Sequence, residues 1–333
     1  MNEKLSDVFT KMLDLHTTAD LLSYDFVQQA VLAAALLGLL AGVIGPLIVN
    51  RQMSFAVHGT SELSLTGAAA ALLVGIGVGA GAIAGSVIAA VMFGLLGSKA
   101  RERDSVIAVV MSFGLGLSVL FLWLGPSRAG SKFSLLTGQV VSVGGTGLTS
   151  LALCTVGVLA VLAFVYRPLL FASTDPEVAV ARGVPVRVLS VVFAVLLGVT
   201  AAFGVQIVGA LLVLSLLITP AAAAAQLTAS PLRATVLSVL FAEIAAVGGI
   251  LLSLAPGVPV STFITTISFV IYLACRFIGR PILHARRRTT LRTPATAASE
   301  MAGAPDPAPQ IDASNDPDSL RGRAEDVQLP IRG

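Results

Sequence analysis

The chain has 333 residues, 56% of them hydrophobic and only 12% charged, with a formal net charge of +3. A soluble globular domain carries about twice that charged fraction, so a water-soluble enzyme is excluded and nucleic acid is not an expected partner. The net charge itself says little, because the charges sit in loops and termini.

Residues 1–25 are polar and acidic, with Glu3, Asp7, Asp14, Asp20 and Asp25. They lack the basic start and early apolar core of a secretory signal, so no cleaved leader is expected. Stretches 26–50, 63–98, 105–127, 133–166, 188–232 and 244–275 then hold no Asp, Glu, Lys or Arg. Each is as long as the ~20 residues that cross a bilayer as a helix. They are too apolar for the in-and-out alternation of barrel strands, so the fold class is all-α, a polytopic helical bundle. Segmentation at Gly, Pro and charge clusters predicts about nine spans, near 26–50, 53–74, 76–97, 105–125, 148–166, 188–206, 207–227, 234–254 and 258–278. Between 126 and 147, FSLLTGQV is too short to span and reads as a short re-entrant or interfacial helix.

Orientation follows the Lys and Arg residues. Lys99, Arg101 and Arg103 mark one cytoplasmic loop, Arg167, Arg182 and Arg187 a second, and Arg276, Arg280, Arg286, Arg287 and Arg288 the end of the last span. These agree with a transmembrane domain over 26–288 whose N-terminus is outside and whose C-terminus is cytoplasmic; Arg128 and Lys132 run against it, falling on the outer side. The Pro-, Ala-, Asp- and Ser-rich remainder, 289–333, has too few large apolar residues to offset the entropy of ordering and reads as a disordered cytoplasmic tail.

Gly77, Gly81 and Gly85 recur at helical spacing, as do Gly38 and Gly42. Small residues so placed let membrane helices approach closely. Cys154 and Cys275 lie in apolar runs and read as inert packing residues.

Polar groups inside the spans carry the functional signal. In RQMSFAVHGTSELSLTG, His58 and Glu62 lie four apart, on one helical face, with Ser54, Ser61 and Thr66 nearby. A helix starting near Arg51 places them ~10–16 Å into the membrane, where a charge costs on the order of 2.5–3.5 kcal/mol. Three readings fit: a His–Glu hydrogen bond that fixes packing, a proton relay, or ligands on a transport pathway. An imidazole nitrogen and a carboxylate oxygen suit divalent Zn or Mn. Glu243 is the other carboxylate deep in a span; it either joins the same pathway or pairs with Arg233 nearer an interface. Gln206 fits a helix break whose backbone it satisfies.

FASTDPEVAVARGVPVRV, 171–188, predicts a short cytoplasmic helix over 176–182. Asp175 is a good N-cap, Pro176 suits the first position, and Gly183 suits the left-handed position that ends a helix. Such a knob is either an ordinary interfacial turn or a surface that a soluble motor subunit pushes. No GxxxxGK[ST] phosphate loop is present, so the chain itself is not expected to hydrolyse nucleotide.

Together these stretches resemble the membrane subunits of ABC transporters for divalent metals, the manganese, zinc and iron permease family. The family's first motif runs approximately R-x-M-x-x-x-x-D-A-x-S-H-x-x-x-x-G; Arg51, Met53, Ser61 and Gly67 match, while His58 stands at the Asp position and Glu62 at the His position. Asp175, Ala179 and Gly183 match a D-x-x-x-A-x-x-x-G block, and Gly209, Leu211, Leu212, Leu217, Pro220 and Ala221 match VGxLLVxxLLxxPAAxA. GGILLSLAPGVPVSTFITTISFVIYL is similar to the final spans, so the resemblance covers about 26–280.

The resemblance implies a permease in a bacterial plasma membrane that imports a divalent metal; His58, Glu62 and Glu243 are the residues expected along its pathway. It implies a second permease copy, an extracytoplasmic solute-binding lipoprotein, and cytoplasmic ATPase subunits that use ATP and magnesium. This chain then carries no cofactor and is not itself an enzyme. Asp175, Glu177, Arg182 and Gly183 would form the contact with the ATPase. The alternatives are an ion-coupled secondary transporter with Glu62 or Glu243 as proton site, or an ABC permease for a non-metal substrate.

Overall fold

Apolar runs that cannot hydrogen-bond to lipid must satisfy their backbone internally, and they do so as helices. The computed structural model describes residues 20–95, 100–125, 144–207, 209, 213–254 and 259–279, without the side chains of 100–103. The first 19 residues of the expected outer segment, most of the FSLLTGQV stretch (126–143) and the tail at 289–333 lie outside the described residues.

The helices are α1 (Asp25–Asn50), α2 (Ser54–Val74), α3 (Val78–Leu95), α4 (Ala100–Leu124), α5 (Gly145–Thr174), α6 (Pro176–Ala181), α7 (Val186–Ile207), α8 (Val213–Leu227), α9 (Pro231–Leu254) and α10 (Val260–Gly279). Seven of them, α1, α3, α4 from Asp104, α5, α7, α9 and α10, are long and apolar enough to cross a membrane. The more polar α2 and the 15-residue α8 run alongside. Nine helices, not counting the short α6, therefore make the bundle among the described residues, most of them near the expected boundaries.

Where a span was expected over 207–227, α8 begins only at Val213, and the larger difference lies in α5. The charge at Arg167 and the ring at Pro168 predict an end near 166, yet the helix continues to Thr174. Proline removes one helical hydrogen bond, but Leu169 and Ala172 beyond it are buried in the core and hold the extension.

Burial sorts the bundle into centre and rim. The apolar windows of α1 and α7 are 67% and 61% buried, against 17% for α4 and 22% each for α5 and α10. Trp123, Leu153 and Phe164 on the rim helices are exposed, as lipid-facing side chains are.

Glycines set the two closest seams. A Cβ on Gly67 or Gly85 would strike the main chain of the facing helix, and one on Gly81 would strike both Ala71 and the Gly67 carbonyl, so α2 and α3 touch backbone to backbone. On α1, Gly42 meets the main chain of Val239 and Gly45 that of Leu217. Gly77 departs from the expected stripe: α3 starts one residue later, and a Cβ there would meet open space. Gly38 opposite Glu243 and Gly42 opposite Val239 make α1 and α9 antiparallel. Contacts of this kind place the start of α1 and the end of α10 at opposite ends of the bundle, through Gly249 against Ile264 and Gly279 against Gln226. Cys154 and Cys275 are both free thiols within the helices.

Candidate functional site

The site forms on α2, which begins after a tight turn from α1. The Met53 amide donates to the Ile48 carbonyl at 3.0 Å and the Gln52 amide to Val49 at 3.1 Å, closing the last turn of α1. This closure requires a left-handed residue, and Gln52 takes that role at φ +53°. Met53 is buried beneath the turn.

Once α2 starts at Ser54, His58 and Glu62 follow one and two turns in, on one face. Glu62 is only 5% exposed, although it is a carboxylate in the middle of an apolar bundle. His58 Nδ1 and Glu62 Oε2 are both buried with no hydrogen-bond partner. The hydroxyls around them are otherwise engaged. Ser61 donates to the Val57 carbonyl at 2.8 Å, and Thr60 to Ala56 and Val57 at 2.9 Å each. Ser64 donates to Ala82 on α3 at 3.1 Å. Thr66 lies 2.8 Å from the Ser118 hydroxyl and donates to the Gly114 carbonyl at 2.9 Å, fastening α2 to α4. What α2 leaves open is one imidazole nitrogen and one carboxylate oxygen, a donor set that fits a divalent cation.

Glu243 does not join them. No group of three or more His, Cys, Asp or Glu suited to a metal forms among the described residues. The helix packing separates them: α9 packs on α1 and α8, whereas α2 packs chiefly on α3, α4 and α7 and only lightly on α8. The Glu243 carboxylate lies half-buried in the α1–α9 seam, opposite Gly38. Gln206, in the last turn of α7, donates to the Ala202 carbonyl at 3.3 Å and rests against Gly79. The break it precedes carries Gly209 at φ +96°.

The 171–188 stretch forms the short helix its caps predict. The Asp175 carboxylate accepts a hydrogen bond from the Val178 amide at 3.0 Å, Pro176 opens the helix, and Gly183 ends it at φ +79°. Ala179 alone is buried; Glu177, Val178, Val180 and Arg182 are exposed. This helix stands at the same end of the bundle as the α1–α2 turn. There Arg51 donates to Ser173 Oγ at 3.2 Å and to Ser190 Oγ at 2.6 Å, with its guanidinium 5.4 Å from the Phe193 ring. The sequence marks Arg51 as a motif residue but gives no sign of these partners.

The fold has clear relatives. The manganese transport system membrane protein MntC of Halalkalibacterium halodurans is 32% identical over 70% of this chain and 80% of its own length. MntC of Listeria monocytogenes is 30% identical over 76% of this chain and 92% of its own. Among solved structures, PsaBC from Streptococcus pneumoniae in complex with Fab superposes with a TM-score of 0.70 at 26% identity, covering 78% of this chain and 94% of that one. The model of the ABC 3 transport family matches residues 23–279, the whole bundle, and the chain belongs to that family.

Proposed function

We propose that this chain is the membrane-spanning subunit of an ATP-driven importer that passes a divalent metal ion, manganese foremost, to the cytoplasm. The observation that carries the reading is the pair of buried, unpartnered donor atoms, His58 Nδ1 and Glu62 Oε2, on one face of α2. The manganese systems named among its relatives support the choice of ion. The family's Asp and His positions hold His58 and Glu62 here, which keeps one nitrogen and one carboxylate oxygen while exchanging their order. Two protein donors leave most of the coordination shell to water or main-chain oxygens. Such partial coordination suits a transit site, where an ion must be held well enough to enter and weakly enough to leave.

Energy comes from outside the chain. A cytoplasmic ATPase using ATP and magnesium docks on α6, where Glu177, Val178, Val180 and Arg182 form an exposed face on a helix fixed by Asp175 and Gly183. A solute-binding lipoprotein delivers the ion from the opposite side, and a second permease copy completes the pathway. The chain lies in the bacterial plasma membrane with its N-terminus outside and its C-terminus inside; the opposite placement of the start of α1 and the end of α10 supports that arrangement.

The test is manganese uptake into proteoliposomes that hold the complete complex with ATP on the ATPase side. Wild type accumulates the ion, and H58A/E62A does not. Uptake driven by a proton gradient without ATP replaces this reading with a secondary transporter. Wild-type transport by the double variant removes both residues from the pathway.

A further inference from the structure

The proposed motor contact on α6 and the proposed ion site on α2 lie on separate helices, so a stroke at one must reach the other through something. The helices entering and leaving the α6 segment are α5, ending at Thr174, and α7, starting at Val186. Arg51 holds both. Its Nη1 donates to Ser173 Oγ, in the last turn of α5, and its Nη2 to Ser190 Oγ, in the first turns of α7. The ring of Phe193, fully buried one turn further along α7, lies 5.4 Å from the same guanidinium. Ser173 is itself held, donating to the Leu169 carbonyl at 2.6 Å. On its own side, Arg51 caps α1 and is followed by the left-handed Gln52 and then by the first residues of α2.

We propose that Arg51 is a positioning residue that transmits displacement of the α6 segment to α2, and so to His58 and Glu62. This rests on the importer reading above. The guanidinium suits the task because its planar fork engages two acceptors at fixed geometry, which a lysine ammonium does not reproduce. The attachment point suits it as well. A tight turn closed by hydrogen bonds to Ile48 and Val49 has little slack, so a pull on Arg51 reaches the first turn of α2 rather than dissipating in a loop.

Removing the acceptors tests this with Arg51 left in place, and R51K tests the guanidinium itself. S173A/S190A, S173T/S190T, R51K and wild type are compared as complete complexes in proteoliposomes, for manganese moved per ATP hydrolysed and for manganese affinity. The alanine pair and R51K are expected to lower manganese moved per ATP by about 5- to 10-fold, the size of a typical coupling between sites. Manganese affinity stays at the wild-type value, and the threonine pair, which keeps both hydroxyls, restores the ratio. If S173A/S190A transports as efficiently as wild type, Arg51 does not transmit. If it loses manganese affinity in step with transport, Arg51 only holds the fold, and the proposal falls equally. Absence of ATP-driven uptake in wild type sinks the importer reading and this proposal with it; a working wild type with an unaltered variant sinks this proposal alone.

Discussion

Glu62 and Glu243 are both carboxylates in mid-span, but their surroundings differ. Glu62 is almost fully buried, has a histidine one turn before it on the same face, and leaves one oxygen without a partner. Glu243 is half-buried in a seam opposite Gly38, on a helix that does not pack on α2. An acid inside a membrane is therefore not by itself a metal-ligand set; the neighbouring donor and the helix that presents it decide what it can bind. The seams differ in the same way. Between α2 and α3 a glycine hydrogen faces main chain, which cannot yield, whereas at Gly38 it faces the end of a flexible side chain.

The comparison breaks most sharply at the donors. H58A/E62A is expected to reduce ATP-driven manganese uptake by more than ~100-fold, since losing even a group that supports a metal ligand costs about 10–100-fold. E243Q is expected to stay within about threefold of wild type, because neutralising an acid away from the donors leaves the ligand set intact. Equal losses in the two variants would merge the sites that the helix packing separates. Next come the seams. Gly67→Ala or Gly81→Ala should destabilise by about 1–3 kcal/mol, the usual range for overpacking, read as a lowered melting temperature in detergent. Asp175→Ala removes the cap of α6, worth about 1 kcal/mol, and hydrogen exchange at the Val178 amide should quicken about fivefold. Smallest are Gly38→Ala and Gly77→Ala, expected within about 0.5 kcal/mol of wild type. At Gly38 the Glu243 carboxylate, 3.3 Å from the added methyl, can shift, and at Gly77 there is nothing to strike.

Much of this was legible in the sequence, for local reasons. Charge-free runs outlined the helices because lipid leaves apolar backbone no other option. The caps of α6 were readable because Asp175, Pro176 and Gly183 each act within one turn. The spacing of His58 and Glu62 placed them on one face, since helical periodicity is also local. What stayed hidden was non-local. Ser173 and Ser190 lie 122 and 139 residues beyond Arg51, and nothing in their surroundings announces the bond. The separation of Glu243 from Glu62 depends on which helices neighbour which, and composition does not encode that. The extension of α5 past Pro168 was hidden because burial of Leu169 and Ala172 overrides a local stop signal.

The bare contact between α2 and α3 limits how the ion route can open. With no side chain between Gly67 and Gly81 to compress or swing aside, the two helices must travel as one plank. With the ion held at His58 and Glu62 as proposed above, the gate that releases it opens along the other flanks of α2. A spin label on the outer surface of α3, at exposed Ile88 or Met92, would then follow the stroke of the buried helix without disturbing it.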